Sequence, residues 1–341
     1  MQAAWHVAQH AAHHAVAVDM DDVLALSGKS VQRISSAADV GSVVHELASA
    51  STNPEPIAVL MCASPQGLLR LVPHLPALAK LPIVFHVETP QALHAHVLQL
   101  RHSGISMVYS SGEPRETEAY ALFAHILAAK THTGALHFFD TVSANNLPST
   151  QASLLQVPLA SEPSELSDVT INGIFSDVNE RLGTDIQALR VLGAHATDTV
   201  AVMLGAETTK LSAHVPIVSL HLVRPLSARC LVDSIPTSVK RVAVLEHSSK
   251  RTTRLPPVLV DVASAFQHVS DRQVPVLVSG LLNELDDSAG PALAGVLASE
   301  ETASFTLGSE KPQRSEAVVP RTFEHEHAYH TMLEMLFKAV S

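Results

Sequence analysis

Short, predominantly apolar runs alternate with longer stretches whose apolar residues recur at helical spacing. The runs at 57–61 (IAVLM), 83–87 (IVFHV), 105–109 (ISMVY) and 135–139 (ALHFF) read as strands. Between them, 68–80, 91–102 and 116–130 read as helices; in the last, Tyr120, Phe123, Ile126 and Leu127 fall at helical spacing. Strands apolar on both faces, separated by helices, predict a parallel sheet covered on two sides. Residues 142–168 change to a Ser-, Pro- and Asn-rich composition and read as a connection. A second α/β set follows, with strands at 200–204 (VAVML), 217–222 (IVSLHL), 242–246 (VAVLE) and 275–279 (PVLVS). A helix at 261–269 opens on Asp261. Beyond about Ser299 the chain is again polar, and it ends in an amphipathic stripe of Tyr329, Met332, Leu333, Leu336 and Phe337. The expected organisation is α/β: two parallel-sheet, three-layer domains at 1–150 and 171–298, joined by a linker at 151–170. A flexible linker at 299–323 and a terminal helix at 324–341 follow.

Composition agrees with two domains and removes several functions. The chain has 341 residues, 46% of them apolar, enough for two cores. Its net charge of −11, with 4% aromatic residues and no dense basic stripe, gives no basis for binding nucleic acid. The closest glycines, Gly290 and Gly295, are five apart, so no dinucleotide-binding glycine loop exists; Val296 stands where a P-loop needs lysine. Cys62 and Cys230 are 168 positions apart, which excludes a cysteine-rich zinc site or an iron–sulfur cluster within the chain and predicts a reducing, cytoplasmic setting. No apolar run approaches the roughly 18–20 residues that span a bilayer, and the N-terminus lacks a signal or transit pattern.

Histidine is the abundant titratable residue, with 21 copies. His6, His10, His13 and His14 would share one face of a helix, as a metal-binding face needs. No carboxylate orders them before Asp19, so a solvated His-rich terminus is expected. The same holds for His325, Glu326, His327 and His330. His86 and His221 interrupt apolar strands and read as hydrogen-bonded core histidines. Two turns after strands could receive a small ligand. In 109–118 (YSSGEPRETE), Ser111 is the expected cap before Pro114, and Glu113, Glu116 and Glu118 repel an anion. In 205–210 (GAETTK), Gly205, Thr208 and Thr209 accompany one acid, Glu207; helix capping is the plainer role there. No G-x-S-x-G elbow is present, so no catalytic, cofactor-binding or metal-ligating residue is assigned.

Several separate motifs resemble one architecture. Residues 62–93 (CASPQGLLRLVPHLPALAKLPIVFHVETPQAL) resemble the Gln-Gly-Leu-Leu to Phe-His-Val stretch of pyruvate:ferredoxin oxidoreductases, and 102–140 resemble its continuation to a Phe-Phe-Asp strand. Segments within 200–266 resemble the next domain, so the likeness covers about residues 33–270 in order. The pattern is also similar to the N-terminal half of the fungal sulfite reductase flavoprotein, the alpha component. The resemblance implies a thiamine-diphosphate-fold pyrimidine-type domain followed by a transketolase-C-terminal-like domain. It also implies an oligomer passing electrons from NADPH through FAD and FMN to a sirohaem subunit. Those groups belong to the rest of the complex, with no cofactor expected in this chain. The departures matter: Ser36 and Ala37 stand where the family places the glutamate that activates thiamine diphosphate, with Asp39 and Glu46 offset. Thr141-Val142 replaces the family's Gly and Arg-Thr-Ser-His continuation. The expectation is therefore a non-catalytic scaffold of a sulfite reductase. The alternatives are a subunit of a thiamine-dependent 2-oxoacid oxidoreductase and a small-molecule binder using the Gly205–Thr209 turn.

Overall fold

A computed structural model describes residues 2–11, 14–18, 31–34, 58–62, 72–140, 150–193, 198–205, 208–247, 256–269, 271–283, 285–299 and 304–308. The first half comprises α1 (Gln2–Ala11), β1 (His14–Val18), β2 (Val31–Ile34), β3 (Ala58–Cys62), α2 (Leu75–Leu78), β4 (Ile83–Thr89), α3 (His94–Leu98), β5 (Ser106–Ser110), α4 (Pro114–Thr131) and β6 (Ala135–Asp140). The second comprises α5 (Asp168–Leu182), β7 (Leu189–Leu192), β8 (Thr199–Met203), α6 (Thr208–Ser212), β9 (Ile217–Leu220), β10 (Leu222–Arg224), α7 (Ala228–Ser234), β11 (Arg241–His247), α8 (Pro257–His268), β12 (Val276–Leu282), α9 (Ala289–Ala298) and β13 (Ser304–Leu307).

Two sheets result. One runs β10-β5-β6-β4-β3-β1-β2 and the other β13-β12-β11-β8-β9-β7. Among the described residues every pairing is parallel except those of the edge strands β10, against β5, and β7, against β9. The chain is thus α/β with two parallel-dominated sheets. The run 217–222, expected as one strand, divides at His221: β9 stays in the second sheet and β10 crosses to the edge of the first. One apolar core accordingly joins Phe85, Val87 and Phe138 to Val218, Val244 and Phe266.

Helix α4 explains the other core. It is buried from Thr117 to Ala129, its apolar residues facing neighbours on every side and its buried Thr117 and His125 meeting polar partners from β5 and β4. Its alanines let neighbouring helices approach, and Phe123 stacks on Phe175 of α5 with centroids 4.1 Å apart. Helix α5, spanning the expected 170/171 boundary, therefore shares a core with the first half through Ile171, Ile174, Phe175 and Val178. Helix α1 packs there too, through Ala4, Val7, Ala8 and Ala11.

That packing corrects the expectation of a solvated terminus: His6 is half-buried on α1, His10 is exposed, and His14 begins β1, so the histidines do not share one helical face. His13 lies outside the described residues. The expected linker at 299–323 contains β13, whose Phe305 and Leu307 are buried against β12. Their alternation with Ser304 and Thr306 is a strand signal masked by polar neighbours. The terminal stripe 324–341, the stretch 35–50 with Ser36, Ala37, Asp39 and Glu46, and the motif at 64–69 lie outside the described residues.

Candidate functional site

In open α/β sheets the carboxyl ends of the strands are where ligands sit. Here those ends carry several buried polar groups, Asp140, Glu246 and His247 among them. Asp140 ends β6 and is 4% exposed. It accepts from three donors: His94 Nε2 at 2.6 Å, Tyr109 Oη at 2.7 Å and Gln91 Nε2 at 3.1 Å. His94 comes from the start of α3, just beyond β4, and Tyr109 from β5. From the second sheet His247 ends β11, its ring standing at 83° to that of His94 with centroids 5.8 Å apart. Gly205, just beyond β8, lies against the same imidazole: a Cβ there would be 2.7 Å from His247 Nε2. Its φ of +152° is a backbone that side-chain-bearing residues rarely adopt. Burial, with His94 nearby, holds the His247 pKa down at about 4, although Asp140 pulls the other way. The His247 ring is therefore neutral at ordinary pH.

A second centre lies deeper in the first sheet. His125 Nε2 meets His86 Nε2 at 3.0 Å, His86 Nδ1 meets His137 Nδ1 at 3.1 Å, and His137 Nε2 meets Ser110 Oγ at 2.9 Å. Ser110 donates onward to Thr117 Oγ1 at 3.4 Å. That last donation sets the polarity. Ser110 accepts from His137 Nε2–H, His137 Nδ1 accepts from His86 Nδ1–H, and His86 Nε2 accepts from His125 Nε2–H. Each ring needs one proton only. Burial lowers the pKa of His86 well below normal and that of His137 to about 3, which keeps both neutral.

The third feature is a cleft of about 270 Å³ at the start of α4. Arg115, Glu116, Tyr120, Asp185, Arg190 and His221 are among its lining residues. His221 and Tyr120 stack within 7° of parallel at 4.8 Å. His221 Nδ1 is 3.2 Å from the Tyr109 carbonyl oxygen. Burial lowers the His221 pKa against the opposing pull of Glu116. Of the expected turns, the one before Pro114 is capped by Glu113, which accepts from Glu116 N–H, while Glu116 accepts from Ser111 N–H. The cap is a carboxylate rather than the serine because Pro114 takes the first helical position, leaving Glu113 as the residue before it. Thr208 begins the five-residue α6, while Ala206 and Glu207 lie outside the described residues.

The sequence singled out His86 and His221, and both are core residues whose rings lie within hydrogen-bonding reach of neighbours. It passed over His94, Tyr109, Asp140 and His247. Only Asp140 and His247 carried a usable signal, a polar residue closing an apolar strand run.

No family model matches the chain. It is 26% identical over 344 aligned residues to the sulfite reductase [NADPH] subunit beta of Schizosaccharomyces pombe, covering 87% of this chain and 23% of that protein. It is 23% identical to a probable pyruvate-flavodoxin oxidoreductase of Escherichia coli, covering 72% of this chain and 27% of the relative. It is 22% identical to the mitochondrial pyruvate dehydrogenase [NADP(+)] of Euglena gracilis, covering 73% and 17%. The chain is similar to both kinds of oxidoreductase. It spans about a quarter of the length of these relatives or less. The fungal relative is named as the beta subunit, whereas the resemblance read from the motifs is to the alpha component.

Proposed function

We propose that this chain is a non-catalytic assembly module of an NADPH-dependent sulfite reductase, with flavin, NADPH and sirohaem held elsewhere in the complex. The observation that carries the reading is its similarity, over 87% of its length, to one stretch of a fungal sulfite reductase subunit. The strand ends support it. Asp140, placed where a ligand-gripping carboxylate would stand, is engaged by three donors of its own chain, and Glu246 of β11 caps α8 by accepting from Val258 and Leu259 N–H. These acids orient the fold.

The test is purification of the tagged full chain from its native cells. Sirohaem absorbance co-eluting with the chain at fixed stoichiometry is expected. Its absence from every fraction containing the chain would remove the reading. Calorimetry with thiamine diphosphate and Mg²⁺, on the chain and its co-purified partners, tests the pyruvate-type alternative. Tight, metal-dependent binding by this chain would replace the scaffold with a cofactor-holding subunit.

A further inference from the structure

We infer that the cleft between the start of α4 and β7 is a binding site for a small zwitterion of the amino-acid class, its carboxylate received by Arg190 and its ammonium by Glu116. The inference stands apart from the assembly reading, which uses neither residue.

The cleft is built before any ligand arrives. Its deepest lining residues are the stacked pair Tyr120 and His221, 2% and 5% exposed. One wall is the first turn of α4 with Glu116; the other runs from the end of α5 through Asp185 to Arg190 of β7. Asn179 pins that second wall. Its side-chain oxygen accepts from Ile186 N–H at 2.8 Å and from Thr184 Oγ1 at 3.0 Å, and its side-chain nitrogen donates to the Ile186 carbonyl at 3.0 Å. Tyr120 Oη donates to the Gln187 carbonyl at 2.8 Å, which ties the floor to the same wall. A cleft fixed in this way asks little ordering of itself on binding. The helix end alone is not the site, because Glu113 and Glu116 already take the N–H groups of Glu116 and Ser111.

Two opposite charges left open across that floor select the ligand. Burial raises the Tyr120 pKa and lowers that of His221; beyond burial, the Glu116 carboxylate pushes both up and the Arg190 guanidinium pushes both down. Both charges therefore act on the same two rings. They are not an ion pair, and among the described residues the Arg190 side chain makes no hydrogen bond or ion pair at all. Glu116 gives Oε1 to Ser111 N–H, which leaves Oε2 for a second donor. A guanidinium takes a carboxylate through two parallel hydrogen bonds, and a carboxylate takes an ammonium. Other classes fit less well. A polyanion such as a nucleotide would meet Glu113, Glu116 and Asp185, and a plain cation would meet Arg115 and Arg190. Size agrees: the 270 Å³ of the cleft corresponds to roughly nine water volumes of about 30 Å³, room for an amino acid and too little for a nucleotide.

The experiment is calorimetry of the full chain against the common L-α-amino acids, β-alanine and γ-aminobutyrate, then against the carboxamide and N-acetyl derivative of whatever binds, and against inorganic phosphate. At least one free zwitterion is expected to bind at millimolar affinity or tighter. Its carboxamide and its N-acetyl form should each bind at least about tenfold more weakly, because each has lost one charged end. Hydrogen exchange of residues 183–190 should slow in the complex. Arg190→Gln and Glu116→Gln, whose amide oxygen still accepts from Ser111 N–H, should each weaken binding by at least about tenfold. Phosphate or an N-acetyl form binding as tightly as the free zwitterion would make the cleft a plain anion site and overturn the inference. So would a wild-type chain that binds none of the zwitterions, or one whose exchange slows only outside 183–190; neither result needs a variant to fold.

Discussion

The two buried histidine groups differ in what their rings bond to. In the ladder His125–His86–His137–Ser110, one consistent set of protons satisfies every ring-to-ring and ring-to-hydroxyl contact. At the strand ends, His94 and His247 each retain a buried nitrogen with nothing to bond. Both groups are equally dry and both lie in α/β cores. The ladder bonds ring to ring, whereas the strand-end group bonds ring to carboxylate through His94 and Asp140.

The ladder should break most expensively at its middle. His86→Leu strands His137 Nδ1 and His125 Nε2 together, so unfolding in urea should show a loss of about 3 kcal/mol or more. Replacing His86, His125 and His137 together by apolar residues of similar size should cost less than the single change, because no donor is left behind. A single variant milder than the triple would show that the ladder is not the coupled unit described here. At the strand ends, Asp140→Asn removes a charged acceptor serving three donors. A loss of about 2 kcal/mol is expected, smaller than at His86 because the amide oxygen still accepts. Equal losses at the two sites would erase the distinction between the groups.

The pH dependence compares the groups without mutation. His86, His137, His221 and His247 all have folded pKa values below the ordinary 6.5, reaching about 3 for His137 and about 4 for His247. The unfolded chain takes up these protons first as the pH falls below about 6.5. The stability they contribute is therefore present above that pH and is lost on acidification toward the folded values. The urea midpoint should fall steadily from pH 6.5 to 4. A flat midpoint over that range would mean that these histidines are hydrated.

Much of the fold could be read from residue pattern alone. Predominantly apolar runs such as 83–87 and 135–139 became central parallel strands because both of their faces are covered. What escaped depended on distant partners. Nothing local distinguishes His221 as the point where a single apolar run leaves one sheet for the other; that follows from the edge of β5 being open to β10. Helix α5 was missed because its buried stripe, Ile171, Ile174, Phe175 and Val178, opens immediately after a polar connection. The strand-end site was illegible for the same reason. His94, Asp140 and His247 are 46 and 107 residues apart in order, and only the parallel register brings them together.

The smallest effect belongs to Glu246, which tests whether a buried carboxylate opposes the histidines. Burial raises its pKa to about 7, against the two helix N–H groups that favour its charged form. The folded chain then takes up its proton before the unfolded one, so its contribution to stability declines as the pH rises from about 4.5 to 7, opposite in sign to the histidines. Glu246→Gln keeps an oxygen for Val258 and Leu259 N–H while removing the titration. At pH 8 the variant should be more stable by up to about 1 kcal/mol. Between pH 5 and 6.5 its urea midpoint should fall more steeply on acidification than that of the wild type, because the opposing slope is gone. A shallower fall would mean that the helix N–H groups outweigh burial, leaving Glu246 charged throughout and α8 capped by an ion.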